Sequence, residues 1–362
     1  FPINALLNGE GFELTGKKIS QSVSGGITTV IIDFDPVNAE ENLTVNINGI
    51  ERSIITPQSD KWTDYRAYSY GGGDGSESNP YIISNTPQLA LLSYQVGAGS
   101  DMTGKYFTLS DDISLSGKMW VPIGNAQTYL ENKYKGKAFN GTFDGLNHKI
   151  TDINVSIDKF AAGLFGLAGE KSVIKNVYLY GEIRNTDKSG YGNTGGIAGV
   201  SYGSVFHCIN HADIYSENSS GGIVGMNGAV NKTVTTCYIY RCANEGTVTA
   251  DKEAGGITAY NSGTVDECYN KGEVTATGEF AGGIVGYNYE GSILLSNSYN
   301  SAAVNGTTFA GGISGKAYNS KIQNSYNSGI VSASSGKAGG ILGFTVSDYN
   351  AKNCYYLDTT AD

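Results

Sequence analysis

The stretch GGITAYNSGTVDECYNKGEVTATGEFAGGIVGYN, residues 255–288, holds one complete unit and the start of the next, and its reading decides the fold. Its opening phrase returns as GLFG at 163–166, GGIAG at 195–199, GGIVG at 221–225, GGITA at 255–259, GGIVG at 282–286, GGISG at 311–315 and GGILG at 339–343. Counted on the Gly before the apolar residue (163, 196, 222, 256, 283, 312, 340), successive copies lie 33, 26, 34, 27, 29 and 28 residues apart. Periods of this size mark arrays of small units that cannot bury an apolar face alone and do so by stacking.

A second phrase travels with the first: HCIN at 207–210, RCAN at 241–244, ECYN at 267–270, NSYN at 297–300, NSYN at 324–327 and NCYY at 353–356. Six residues after the Cys or Ser of the first five copies stands Ile214, Val248, Val274, Val304 or Val331. Each unit therefore offers three short apolar stretches separated by Gly, Asn and Ser, which reads as three strands joined by corners. At about 3.3 Å per residue, roughly 27 residues give a coil with a perimeter of about 90 Å, too short for a four-stranded propeller blade. The unit carries no helical spacing. Parallel stacking of equivalent strands would align Ile197, Ile223, Ile257, Ile284, Ile313 and Ile341 as one aliphatic column inside a parallel β-helix.

The other columns follow from the same alignment. Cys208, Cys242, Cys268 and Cys354 share a position with Ser298 and Ser325, so the site wants a small side chain, and buried free thiols are expected there although a bridge between neighbouring coils is geometrically possible. Asn210, Asn244, Asn270, Asn300 and Asn327 are expected at left-handed corners as a hydrogen-bonded ladder. Between them, alternation turns Tyr269, Tyr299, Tyr326 and Tyr355 outward as an aromatic stripe able to stack on sugar rings or meet a protein partner; the alternative is that they shield the corner. These four tyrosines are the candidate ligand-binding residues.

With the columns in place, the phrases resemble the GLUG repeat of surface and secreted bacterial proteins, notably of Bacteroides-type species. The lead-in DGSESNPYIISNTPQLALL (74–92), KYFTLSDDISL (105–115), VPIG (121–124) and FNGTFDGLNHKI (139–150) adds to it, so the resemblance covers about 74–362. It implies a right-handed parallel β-helix on an exported, adhesin-like protein of the extracellular or outer-membrane surface. Some proteins with this repeat also carry a metallopeptidase domain, and this chain has no HExxH to receive that role.

The remaining segments divide the chain. Residues 1–66 (GFELTGKKI, TTVIIDFD, LTVNINGIERSIIT) alternate at strand period with a turn signal at Asn48–Gly49 and read as a small antiparallel β domain or the partial remnant of a larger one. Residues 67–80, with GGGDGSES at 71–78, read as a linker, and 81–362 as the solenoid, with repeats at about 160–356. At about 81–100, Thr86, Pro87 and then Leu89, Leu91, Leu92 and Val96, ending at Gly97, predict a short helix that caps the first coil. The start at Phe1 without Met or signal peptide fits a trimmed chain.

Chemistry and charge narrow the function. A formal charge of −10 makes nucleic acid and anionic membranes poor partners, and no apolar run is long enough to span a bilayer. In HCINH, a strand would put His207 and His211 on one face about 7 Å apart without a third ligand, so no metal is expected. Asp33, Asp35, Asn38, Glu40 and Glu41, or Asp74 through Asn79, hold oxygen ligands without a defined calcium-loop spacing. Asp144, Asp152, Asp158, Glu182, Asp187 and Lys188 are available for acid–base chemistry but show no motif. The reading is a non-catalytic protein, without cofactor, that binds a glycan or protein along its wall; a polysaccharide lyase or hydrolase and a structural stalk are the alternatives.

Overall fold

The computed structural model describes the chain apart from residues 1–2, 14–17, 25–26, 34–37, 48, 132, 230–236, 290–293, 347–349 and 358–362. From Tyr81 onward it is a parallel β-solenoid. The coil that opens at Glu253 contributes Glu253–Gly255, Thr258–Asn261, Thr264–Asp266, Tyr269–Asn270 and Val274–Ala276, five short strands where the sequence suggested three. Backbone kinks at the second glycine and before the cysteine split what the apolar pattern shows as longer stretches. A ten-stranded ladder runs from Tyr81–Ile83 to Asn350–Lys352, two seven-stranded ladders carry the glycine phrase, and one fourteen-stranded sheet carries the Tyr–Asn and Val strands.

Stacking puts like on like. Ile197, Ile223, Ile257, Ile284 and Ile313 are completely buried, and each of their amides donates to the next isoleucine carbonyl at 2.9–3.0 Å, the last reaching Ile341. A second column pairs Phe143, Ile174, Val205, Ile239, Val265, Leu295 and Ile322 across seven coils. Burying such side chains contributes about 1.5–3 kcal/mol each, which suffices because each short strand gains ladder partners on both sides.

The glycine phrase and the asparagine phrase travel together for a steric reason. A Cβ on Gly222 would come within 2.3 Å of Asn244 Cγ, and one on Gly283 within 2.5 Å of Asn300 Cγ. The asparagine of each coil fills the space that the glycine leaves.

The helix Thr86–Ala98 closes the first coil. Asn85 accepts from the Gln88 amide at 3.1 Å as the N-cap, one residue earlier than Thr86, and Gly99 ends the helix in the left-handed region at φ 110°. Leu89, Leu92 and Val96 are fully buried against Ile83, Leu109 and Phe107. Near the cap the core turns aromatic: Tyr70, Tyr81, Phe107, Phe139 and Phe165 form a chain of rings at 4.7–6.0 Å.

Upstream, Glu10–Phe12, Ile3–Leu7, Asn42–Ile47 and Ile50–Ile55 form a small antiparallel sheet, and Lys18–Ser24 pairs with Ile27–Asp33 as a separate hairpin. Ile47 pairs with Ile50, so the turn lies where the sequence placed it, although Asn48 itself is outside the described residues. The glycine-rich stretch is held by backbone bonds: Gly71 donates to Ile82, Ile82 to Gly72, and Asp74 to Asn79. Trp62 Nε1 donates to the Leu115 carbonyl at 2.9 Å, and the Arg66 guanidinium sits 3.7 Å above the Tyr94 ring, fastening this segment to the capped end.

Candidate functional site

The Cys–Tyr–Asn strand sets the outward column. The residue before each Cys or Ser turns the corner: His207, Arg241, Glu267, Asn297, Asn324 and Asn353 all have φ between 47° and 53°. This corrects the expectation that Asn210, Asn244, Asn270, Asn300 and Asn327 occupy left-handed corners. Those asparagines follow the corner in strand or near-strand geometry and point inward. Asn210 Nδ2 donates to Asn244 Oδ1, and Asn244 to Asn270, Asn270 to Asn300 and Asn300 to Asn327, each at 2.8 Å. The second amide hydrogen of each goes to its own chain two residues on, as in Asn270 to the Gly272 carbonyl at 2.8 Å.

The small residue also points inward and acts as donor and acceptor at once. Cys268 Sγ lies 3.2 Å from the Asp266 carbonyl, Ser298 Oγ donates to Ser296 at 2.7 Å, and Ser298 Oγ accepts from the Cys268 amide at 3.2 Å. A thiol and a hydroxyl both satisfy this double demand, which explains their exchange along the column. The five cysteines are free. Burial holds the Cys242 and Cys268 thiols well above their ordinary value and pushes Cys237 up to about 12.

With the small residue and the asparagine inside, the tyrosine between them faces outward. Tyr269 and Tyr299 stack with ring centroids 5.2 Å apart and planes 10° from parallel; Tyr299 and Tyr326 do so at 5.0 Å and 4°. Tyr355 continues the register beside Tyr326 and is 69 % exposed. The ring faces are spent on one another, so the inner tyrosines show the outside their edges and hydroxyls, a regular row rather than a flat platform. Beside it runs a column the sequence reading did not name. His211 stacks on Tyr180 at 4.3 Å, lies 3.5 Å from Glu245, and Glu245 pairs with Lys271 at 3.3 Å. Tyr269 donates to Glu245 Oε1 at 3.2 Å, and burial, with the Glu245 charge, holds its phenol above the ordinary value.

A second aromatic patch was also missed. Tyr260, Tyr287, Tyr289 and Tyr318 lie 5.3–5.8 Å apart as a connected cluster. The Lys316 ammonium sits 4.2 Å from the Tyr287 ring and 4.7 Å from that of Phe280. A second asparagine ladder, Asn227 to Asn261 to Asn288 at 2.8 Å, backs this patch from inside. The available signal was the recurrence of GMN, AYN and GYN four residues after the first glycine of the phrase.

The other candidates scatter. His207 sits in the corner conformation, so it does not share a strand face with His211 as expected. Among the described residues no three His, Cys, Asp or Glu side chains gather to hold a metal ion. Hydrogen bonding from the Ser76 hydroxyl, then from the Ser76 amide at 2.8 Å and the Asn79 side chain, holds the Asp74 carboxyl below the usual range. Of the first acidic set, Asp35 and the Asp33 side chain lie outside the described residues, while Glu41 accepts from the Asn38 amide and the Tyr68 hydroxyl. Asp144 pairs with Lys175, Asp152 accepts from Ser114, Glu182 faces Arg184, and Lys188 faces Glu217. Only Asp158 and Asp187 border a common groove, of about 1340 Å³, at the capped end.

No protein-family model matches the chain. It is 30 % identical over 287 residues to halomucin of Haloquadratum walsbyi, covering 76 % of this chain and 3 % of that protein. It is 27 % identical over 202 residues to a protein of Evansella cellulosilytica named "Putative Gly-rich membrane protein", covering 45 % of this chain and 22 % of the relative. The chain thus spans a small part of either relative's length. The crystal structure of a Bacteroides ovatus protein described as a "putative immunoglobulin A1 protease" matches at TM-score 0.54 and 25 % identity, covering 80 % of this chain and 78 % of that one. No helix among the described residues is long and apolar enough to cross a membrane. This chain is therefore a parallel β-solenoid with distant similarity to proteins that include one named for a membrane and one named as a mucin.

Proposed function

We propose that this chain is a GLUG-type, surface-displayed attachment module, non-catalytic, whose wall binds a glycan or a protein. The observation that supports this best is the outward column of Tyr269, Tyr299, Tyr326 and Tyr355, kept in register by the inward Asn ladder. Because the inner rings stack on each other, their exposed chemistry is a row of hydroxyls and edges repeating every 5.0–5.2 Å. Such a row suits a linear ligand lying along the solenoid axis, an extended polysaccharide above all, better than a single sugar ring laid flat. We take residues 1–66 as a separate small β domain joined through 67–80 to the solenoid of 81–362, and the site of action as the outside of a bacterial cell.

A glycan array followed by the double variant Tyr299→Ala and Tyr326→Ala tests the reading. Loss of about tenfold or more in apparent affinity for the captured glycan is expected, and unchanged binding eliminates the column. A polysaccharide hydrolase is the second reading, favoured by the groove bordered by Asp158 and Asp187. Product release that is lost in Asp158→Asn and Asp187→Asn would establish it.

A further inference from the structure

The groove at the capped end lies apart from the tyrosine column. Its walls come from five separated pieces of chain: residues 60–64, one side of the cap helix at Ser93 and Gly97, the run 119–127, the end of strand Lys149–Ile157 with the loop to Ala161, and the 187–189 turn. At about 1340 Å³ it exceeds the roughly 300–1,000 Å³ of ordinary small-molecule sites, so a chain-like ligand of several units fits it.

Its chemistry is rich in acceptors. Four carboxylates, Asp60, Asp64, Asp158 and Asp187, stand against two ammoniums, Lys61 and Lys159, with no arginine in the lining. Two of the carboxylates are fixed from behind: Asp64 accepts from Ser59 Oγ at 2.6 Å, and Asp187, 6 % exposed, accepts from Ser189 Oγ at 2.6 Å. Asp60 and Asp158 are exposed, and Asn125 and Gln127 add amides to the lining. Phe160 supplies a half-buried ring. A polyanion would meet repulsion here, as it would from the chain's net charge of −10. A lipid would strand these polar groups. A ligand bearing many hydroxyl donors on an apolar ring skeleton satisfies both the carboxylates and the aromatic.

We propose that this groove binds a short segment of uncharged oligosaccharide, and that uronate or sulfated chains are excluded from it. The site does not depend on the tyrosine column, and the two are separable. The test is isothermal titration of the full chain with cellohexaose, chitohexaose, hexagalacturonate and hexalysine. Ser156→Trp narrows the groove from an exposed strand position, and Asp158→Ala removes an exposed carboxylate; neither disturbs the buried core. Expected are saturable binding of at least one neutral hexamer and none of hexagalacturonate. Asp158→Ala should weaken binding about tenfold, the scale of one hydrogen bond to a charged group, and Ser156→Trp should weaken it further. The double variant Tyr299→Ala and Tyr326→Ala should leave it unchanged. No saturable neutral binding, binding indifferent to Ser156→Trp, or saturation by hexalysine in place of the sugars would each overturn the proposal. Loss only in the tyrosine double variant would assign the sugar to the wall and overturn the groove as its site.

Discussion

Gly256 and Asn270 occupy a single space between them: a Cβ on Gly256 would lie 2.4 Å from Asn270 Cγ and 2.2 Å from the Gly283 carbonyl oxygen of the next coil. Asn270 in turn donates to Asn300 at 2.8 Å. Gly256→Ala should therefore destabilise by about 3 kcal/mol or more, at or beyond the upper end of ordinary overpacking, because backbone blocks relaxation on one side. Chemical denaturation measures it. Adding Asn270→Ala should recover only part of the loss, since the Gly283 carbonyl remains; full recovery would refute the steric account.

Ser298 tests the small-residue column. Ser298→Cys should stay within about 1 kcal/mol of the parent, as cysteine fills the same place in four other coils. Ser298→Ala, smaller by one oxygen, leaves the Cys268 amide without its acceptor and the Ser296 carbonyl with the Glu267 amide alone, and should cost about 1–3 kcal/mol. Equal stabilities for the two variants would show that these hydrogen bonds do not govern the column.

Thiol labelling reads the same column from outside. Cys208, Cys237, Cys242 and Cys268 are buried, and Cys354 is half-buried in the last coil. Reactivity requires an accessible thiolate, so a thiol-specific reagent on the native protein should modify Cys354 well before the others, and all five only after unfolding. Rapid labelling of Cys242 or Cys268 in the native state would contradict the packing.

Glu253 gives the solenoid a pH dependence. Burial raises its carboxyl above the usual value against the lowering effect of the hydrogen bond from Ser219, and the Glu279 charge adds to the rise. The folded chain holds this proton more tightly than the unfolded chain, so the group's contribution is fully present below about pH 4.3. It is lost as pH rises through the folded value. Glu253→Gln should be more stable than the parent at pH 7, with the difference closing near pH 4. Thermal unfolding across that range checks it; a constant gap would mean that the carboxyl does not titrate with folding.

What the chain declares by itself is whatever recurs. The isoleucine column, the Cys/Ser exchange and the glycine–asparagine pairing of phrases are legible because stacked coils repeat one environment, and a repeated environment selects a repeated residue type; the cap over 86–98, which occurs once, is the exception and is legible from its own start and stop signals. The tyrosine column was legible as a position, and that its rings cover one another was not, since ring stacking depends on the spacing between coils. Register decided the rest. The corner falls on His207, Arg241 and Glu267 in three coils and on Asn297, Asn324 and Asn353 in the next three, so no single residue type marks it. The Tyr180–His211–Glu245–Lys271 line joins side chains 26 to 34 residues apart that change type at every step, and the groove gathers its four aspartates, Asp60 to Asp187, out of three separate segments. Periodicity carries no trace of such sites, because each is assembled once, from parts that have no copy elsewhere in the chain.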